Sequence, residues 1–275
     1  MWRLLVLAIL VASAFAAPPA VETNDIEFAR PGGVALTLDA SIPEGRGPFP
    51  AVIVVHGGGW QNGTKRSYEK PILPVLTDAG FAWFTINYRL APQYKFPAAV
   101  EDVEAAIRWA KRNAKEYKVD PNRIALAGES AGGHLVAFVG VRPTKETRVA
   151  AVVDFYGPHD LAKRETDKGE VSKNMTAFLG IDKLDASGIA KLKEASPITH
   201  VKPGLPPFLF IHGTKDAAVP YEQSPMMCDK LKAAGNRCEV YTVEGAPHGV
   251  GPWEKNPEWQ GYKAKMAEWL RQTLK

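Results

Sequence analysis

Residues 124–138 constrain the fold more than any other part of the chain. An apolar β-type run, Ile124-Ala125-Leu126-Ala127, is followed by Gly128-Glu129-Ser130-Ala131-Gly132-Gly133 and then by the apolar run His134-Leu135-Val136-Ala137-Phe138. This is the pattern of a strand, a tight turn and a helix, with the spacing G-x-S-x-G across the turn. Such a turn forces strained backbone angles on Ser130 and brings strand and helix so close that only small neighbours fit. The serine hydroxyl is thereby lifted clear. The first amides of the helix point at the same spot, where unpaired N–H groups and the helix dipole favour developing negative charge. A serine so placed is a candidate nucleophile. The plain alternative is a glycine- and serine-rich turn at a helix start, and the flanking strand and helix patterns stand against it.

The rest of the chain repeats the alternation of strand and helix. Asp25 to Ala29 and Val34 to Ile42 are short β-rich runs around Pro31-Gly32-Gly33, an opening hairpin at a sheet edge. Ala51-Val52-Ile53-Val54-Val55 is a strand buried on both faces, and it ends in His56-Gly57-Gly58-Gly59-Trp60. In open α/β sheets the active site lies at such carboxyl ends. Three glycines let backbone N–H groups approach a substrate closely, as stabilisation of an oxyanion requires; the alternatives are a flexible turn or a phosphate loop, and the spacing of the latter does not follow. A helix over Pro71 to Ala79, a strand from Phe81 to Asn87, and a long helix with Pro97 in its first turn and apolar positions from Val103 to Tyr117 come next. Arg89, Glu101 and Asp102 read as structural partners at that junction. Asp120-Pro121-Asn122 turns the chain into the serine strand. Val149 to Phe155 is a further buried strand, and residues 159–206, dense in charge, read as a partly helical insertion over one end of the sheet. Strands at Pro207 to Ile211 and Glu239 to Val243 flank a helix over Gln223 to Ala234. A terminal amphipathic helix carries Tyr262, Met266, Trp269, Leu270 and Thr273 in register.

At 275 residues, 45% of them hydrophobic and 23% charged, one large α/β domain over residues 17–275 is expected. Residues 1–16 have the form of a signal peptide: Arg3, an apolar stretch to Phe15, and Ala14-Phe15-Ala16 as a small-x-small cleavage site. The stretch is short for a bilayer span and Pro18-Pro19 follow at once, so a secreted or periplasmic protein is expected, with a retained anchor as the alternative. Loss of Arg3 takes the net charge from +4 to +3, and the remaining basic residues are dispersed among acids, which gives nucleic-acid binding no support. Cys228 and Cys238, ten residues apart across Gly235-Asn236, can form a disulfide in an exported protein or stand as two isolated thiols.

A serine hydroxyl is a weak nucleophile at neutral pH and needs a histidine to accept its proton and a carboxylate to orient that histidine. Of six histidines, His56 and His212 lie in strand-end turns suited to backbone bonding, His134 lies one turn along the serine helix, and His159 and His200 belong to the insertion and its exit. His248 follows the last strand in a loop of small residues, Gly245-Ala246-Pro247-His248-Gly249, from which a ring can swing to the serine. Asp216, after a buried strand and 32 residues before His248, gives the order Ser, Asp, His. Asp160 is a rival that resembles a helix cap, and Asp154, inside an apolar strand, is a poorer one.

The chain resembles the α/β-hydrolase superfamily over essentially its whole length after residue 16. His56 to Trp60 and Ser130 to Leu135 resemble the loop and elbow of the bacterial feruloyl and acetylxylan esterase group. Tyr88-Arg89-Leu90-Ala91-Pro92, with Phe96-Pro97-Ala98-Ala99 and Asp102, looks like the hormone-sensitive-lipase-like carboxylesterases. The resemblance implies a mostly parallel central sheet with helices on both faces and the insertion between the sixth and seventh strands. It implies a serine esterase in which Ser130 attacks, His248 moves the proton, Asp216 holds the histidine, and N–H groups of Gly57, Gly58 and Ala131 receive the oxyanion. It departs from the lipase-like relatives in having only about 20 residues before its second strand, too few for their N-terminal cap, so any lid comes from the insertion. No metal or organic cofactor is implied, since no cluster with ligand spacing is found in the sequence.

The expected substrate is a short acyl ester, acetyl or feruloyl, on a polar alcohol such as a plant polysaccharide. Trp60 is a candidate to stack on a sugar or aromatic acyl group, or else a packing residue. A general small-molecule carboxylesterase, an amide-cleaving relative such as an arylformamidase or peptidase, and a non-catalytic binding protein are the alternative readings.

Overall fold

The structure, a computed structural model, describes residues 20–67 and 71–275; the expected leader over residues 1–16 lies outside them. In chain order the strands are β1 (Ala20–Ala29), β2 (Leu36–Pro43), β3 (Phe49–Val55), β4 (Ala82–Ile86), β5 (Val119–Glu129), β6 (Ala151–Phe155), β7 (Phe208–Gly213) and β8 (Cys238–Val243). They form one sheet in the order β1-β2-β4-β3-β5-β6-β7-β8. The β1–β2 and β2–β4 pairs are antiparallel and the rest are parallel. The helices are α1 (Leu73–Asp78), α2 (Ala98–Arg112), α3 (Ala131–Val141), α4 (Leu161–Lys168), α5 (Lys173–Leu179), α6 (Ala186–Ala195), α7 (Gln223–Ala233), α8 (Val250–Trp253) and α9 (Gly261–Thr273). Helices α4, α5 and α6 make up the insertion between β6 and β7.

The continuous apolar runs have the cause expected of central parallel strands. In β3, Ile53 and Val55 face one core with α2 and α3, while Val52 and Val54 face a second with α1 and α9. Every residue from Ala51 to Val55 is fully buried. Since burying one such side chain stabilises by roughly 1.5–3 kcal/mol, neither face can carry a polar residue without large loss. Helix α3, crossing under the sheet's middle, is buried on all sides, which is why its sequence shows no polar face.

Three local expectations change. Strand β1 begins at Ala20 and bulges between Thr23 and Ile26, where Asp25 has φ +57° and its N–H donates to Asp39 Oδ1 at 2.7 Å; the polar run there hides the strand from hydrophobic periodicity. Helix α2 starts after Pro97 and stops at Arg112, because Asn113 turns its side-chain amide back onto the Trp109 carbonyl at 2.9 Å. Asp120, Pro121 and Asn122 lie inside β5, whose register against β3 is irregular there. Cys228 on α7 and Cys238 at the start of β8 are disulfide-bonded, their Cα atoms 5.5 Å apart.

Candidate active site

Ser130 joins β5 to α3 with φ +50° and ψ −116°. A positive φ is unfavourable for a residue with a Cβ. It is held by the Ser130 N–H, which donates to the Phe155 carbonyl at 2.8 Å, and by the His134 N–H, which donates to the Ser130 carbonyl at 2.9 Å. A Cβ at Gly128 would lie 2.4 Å from the Gly132 carbonyl oxygen, and one at Gly132 would lie 2.2 Å from that of Val55. The glycines are therefore what let helix and sheet approach closely enough to form the turn.

Facing it, His248 places Nε2 3.0 Å from Ser130 Oγ and Nδ1 2.6 Å from Asp216 Oδ2. With Nδ1–H donating to the carboxylate, Nε2 is left to accept the serine proton. The histidine loop is pinned on both sides: Trp253 Nε1 donates to the Pro247 carbonyl at 2.7 Å, and the Val250 N–H donates to the Tyr156 hydroxyl at 2.8 Å. Asp216 Oδ1 accepts from the N–H groups of Ala218 and Val219 at 2.9 and 2.8 Å, and His212 Nε2 lies 3.3 Å from Oδ2. Burial pushes this carboxyl up, but hydrogen bonds from His212, His248 and Val219 outweigh it and hold the group well below the ordinary carboxylate range.

The rivals have other positions. Asp160 caps α4, accepting from the Lys163 N–H at 2.8 Å. Asp154 is sealed in the sheet and accepts from the Gly157 N–H at 2.8 Å. His56 Nδ1–H donates to the Gly57 carbonyl at 2.7 Å while its ring stacks on Tyr88; His134 and His200 donate to the Ala195 and Glu194 carbonyls. His159 is buried against Phe210.

A cleft of about 330 Å³ opens over Ser130 and His248. At its rim one expectation shifts by a residue and one open alternative is decided. Of the glycine run, Gly58 and Gly59 line the cleft, as does Gly249 of the histidine loop, whereas Gly57 is buried, a Cβ on it lying 2.4 Å from Glu129 Oε1; Ala131, which follows Ser130 at the start of α3, is buried as well. Trp60 offers no open ring face: it is 2% exposed, stacked on Phe178 at 4.6 Å and edge-on to His134, to whose Nδ1 its Nε1 donates at 3.3 Å. It anchors the glycine loop onto α3 and α5.

Of the lining residues that the sequence does not single out, Glu129, Gly59, Arg164 and Asn174 bear most on the chemistry. Glu129 is the variable position of the G-x-S-x-G motif, and Gly59 is the third glycine of its run. Arg164 and Asn174 arrive from the insertion and carry no sequence signal. Arg164 is nearly buried; one Nη donates to the Ala218 carbonyl at 3.1 Å, the other lies 3.4 Å from Glu165 Oε1, and its Nε has no hydrogen-bond partner.

Residues 38–231 match the family model described as BD-FAE, 194 positions spanning the glycine loop, the elbow and the insertion. The chain belongs to the BD-FAE family. This BD-FAE chain is 34% identical over 215 residues to esterase LipC of Mycobacterium tuberculosis, covering 74% of this chain and 53% of that one. It spans about half the length of the curated relatives it matches. Among solved structures it resembles a truncated carbohydrate esterase from gut microbiota, with TM-score 0.82 and 27% identity over 94% of this chain and 99% of that one. It also resembles the propionate-bound esterase Est2 of Thermogutta terrifontis, with TM-score 0.75 and 27% identity over 93% and 94% of the two chains. The fold is that of an α/β-hydrolase.

Proposed function

We propose that the protein is an exported serine carboxylesterase that removes short acyl groups, acetyl above all, from a polar, polysaccharide-like alcohol. The observation that carries this reading is the relay from Ser130 Oγ through His248 to Asp216, closed at 3.0 and 2.6 Å beneath an open cleft. Ser130 attacks the ester carbonyl while His248 Nε2 takes its proton, and the same nitrogen returns the proton to the departing alcohol. Asp216, kept ionised by its donors, stabilises the imidazolium between those steps. The tetrahedral oxyanion is received by backbone N–H groups of Ala131 and of Gly58 and Gly59. Water then repeats the sequence on the acyl-serine.

The cleft volume is at the small end for ligand pockets, which favours a short acyl group. Its insertion wall is polar, with Arg164 and Asn174, unlike the broad apolar surface that a long-chain lipase needs. The carbohydrate esterase and the propionate-bound esterase among the similar structures agree with this reading. Export is supported by the leader-like residues 1–16 and by the Cys228–Cys238 bridge, which forms in oxidising compartments.

A p-nitrophenyl ester series from acetyl to decanoyl, run beside acetate and ferulate release from substituted xylan and beside an anilide, tests the assignment. Acetyl and propionyl esters turn over at least about tenfold faster than octanoyl, a margin of ~1.4 kcal/mol. A preference for long chains would overturn the short-acyl reading; good acetyl turnover without release from xylan would overturn only the polysaccharide half.

A further inference from the structure

Glu129 sits where the three parts of the catalytic apparatus meet. It directly precedes Ser130, it lines the cleft, and one carboxylate oxygen is packed against the backbone of Gly57 so closely that a Cβ there would lie 2.4 Å from it. The other oxygen accepts a short hydrogen bond from the Tyr156 hydroxyl. Tyr156 is fully buried, has φ +43°, and is tied to the neighbouring strand by its N–H, which donates to the Ile211 carbonyl at 3.0 Å. Its hydroxyl also accepts from the Val250 N–H at 2.8 Å, and its ring stands edge-on to His248 with centroids 4.8 Å apart. A left-handed backbone on a bulky aromatic is costly and persists only where surrounding contacts fix it. Here those contacts run to the histidine loop and to Glu129.

We propose that Glu129 is a positioning residue which, as a carboxylate, locks the glycine loop to the histidine loop through Tyr156 and favours the imidazolium that His248 becomes when Ser130 attacks. The inference rests on the relay assigned above. Negative charge near a histidine favours its protonated form, and in a partly buried site that interaction is weakly screened. The ionisable groups facing Glu129 are Tyr156 at the end of β6, His248 in the loop before α8, and Asp216 after β7. Burial pushes the Glu129 carboxyl up; the Tyr156 hydrogen bond and His248 pull it down, and the charge of Asp216 pushes it up again. Asp216 holds the ring; Glu129 holds the loops that carry the ring and the oxyanion amides.

The test is the pH dependence of kcat/KM for p-nitrophenyl acetate in Glu129→Gln and Tyr156→Phe, with thermal melts alongside. The acid limb reports protonation of the general base, so activity falls as pH drops through it. Glu129→Gln removes the charge and moves the limb to lower pH by about half a unit or more, with kcat roughly tenfold down and KM little changed. Tyr156→Phe strips the hydrogen bond that pulls the Glu129 carboxyl down, so part of the charge is lost as pH falls and the limb moves the same way by a smaller amount. A merely structural role would lower activity in both variants without displacing either limb. If Glu129→Gln fails to fold, the smaller downward displacement in Tyr156→Phe carries the test. A limb that stays in place or rises in the variant that folds would overturn the proposal; an active Ser130→Ala would overturn the relay itself.

Discussion

Strands β6 and β7 lie side by side and each ends at the carboxyl edge of the sheet with a buried acid and a buried histidine, yet the two ends behave oppositely. After β7, Asp216 gathers two backbone N–H groups, His248 and His212, and stays ionised below the ordinary carboxylate range. His212 is satisfied too, with Nδ1 2.8 Å from Ser224 Oγ and Nε2 3.1 Å from the Val219 carbonyl. At the end of β6, Asp154 has one backbone donor and an oxygen without a partner, and burial pushes its carboxyl up to about 8. Both ring nitrogens of His159 lack hydrogen-bond partners, and burial holds that ring far below the ordinary histidine range. Burial is shared by both ends; the supply of donors is what separates a charged, working carboxylate from a neutral, structural one.

The largest consequence concerns activity. Asp216→Asn lowers kcat by about 10³-fold or more while the fold persists, since the amide cannot stabilise the imidazolium. Asp154→Asn, isosteric with the protonated acid, leaves kcat within a factor of about three, because neutral Asp154 stabilises no charge at His248. Ester hydrolysis rates of the two variants check this; the reverse ranking would dissolve the contrast.

Next comes stability against pH. An unfolded aspartate titrates near ~4, whereas folded Asp154 does so at about 8. Between those values the folded protein keeps a proton that the unfolded chain has released. Asp154 therefore costs stability progressively as pH rises through that window, at up to ~1.4 kcal/mol per pH unit. Asp216 has the opposite sign: its contribution is present above the unfolded value and is lost as pH falls toward its depressed folded one. Denaturant melts from pH 4 to 8 should show a flatter profile for Asp154→Asn than for the parent protein. Equal slopes would mean that Asp154 is ionised in the fold.

The smallest effect sharpens the same boundary. Asp160, six residues beyond Asp154 and the acid that most resembles Asp216 in sequence, only caps α4. Asp160→Ala should cost about 1 kcal/mol in a thermal melt and leave kcat/KM unchanged.

These contrasts also mark what a sequence can carry. The elbow, the central strands and the order of Ser130, Asp216 and His248 were legible because each rests on local chemistry: a turn that admits only glycine, a run buried on both faces, a loop of small residues. Tyr156 and Glu129 were not, since their contact joins residues 27 positions apart and depends on a left-handed backbone that no tyrosine advertises. Arg164 reaches the cleft through the packing of the insertion, which hydrophobic periodicity does not encode. Which glycines of the run face the cleft, and which of its two readings Trp60 takes, were not legible for a related reason. A run of three glycines shows that a backbone comes close to something without showing which amide faces it, and an aromatic beside a cleft can serve equally as floor or as ligand platform.

The relay itself is tested most directly by covalent trapping. Incubation with a p-nitrophenyl phosphonate, followed by peptide mapping, should give one equivalent of p-nitrophenol and one adduct on Ser130, with esterase activity lost in proportion. His248→Ala should trap at least about a thousandfold more slowly. An adduct on another residue, or ester hydrolysis undiminished once Ser130 is fully modified, would contradict the account.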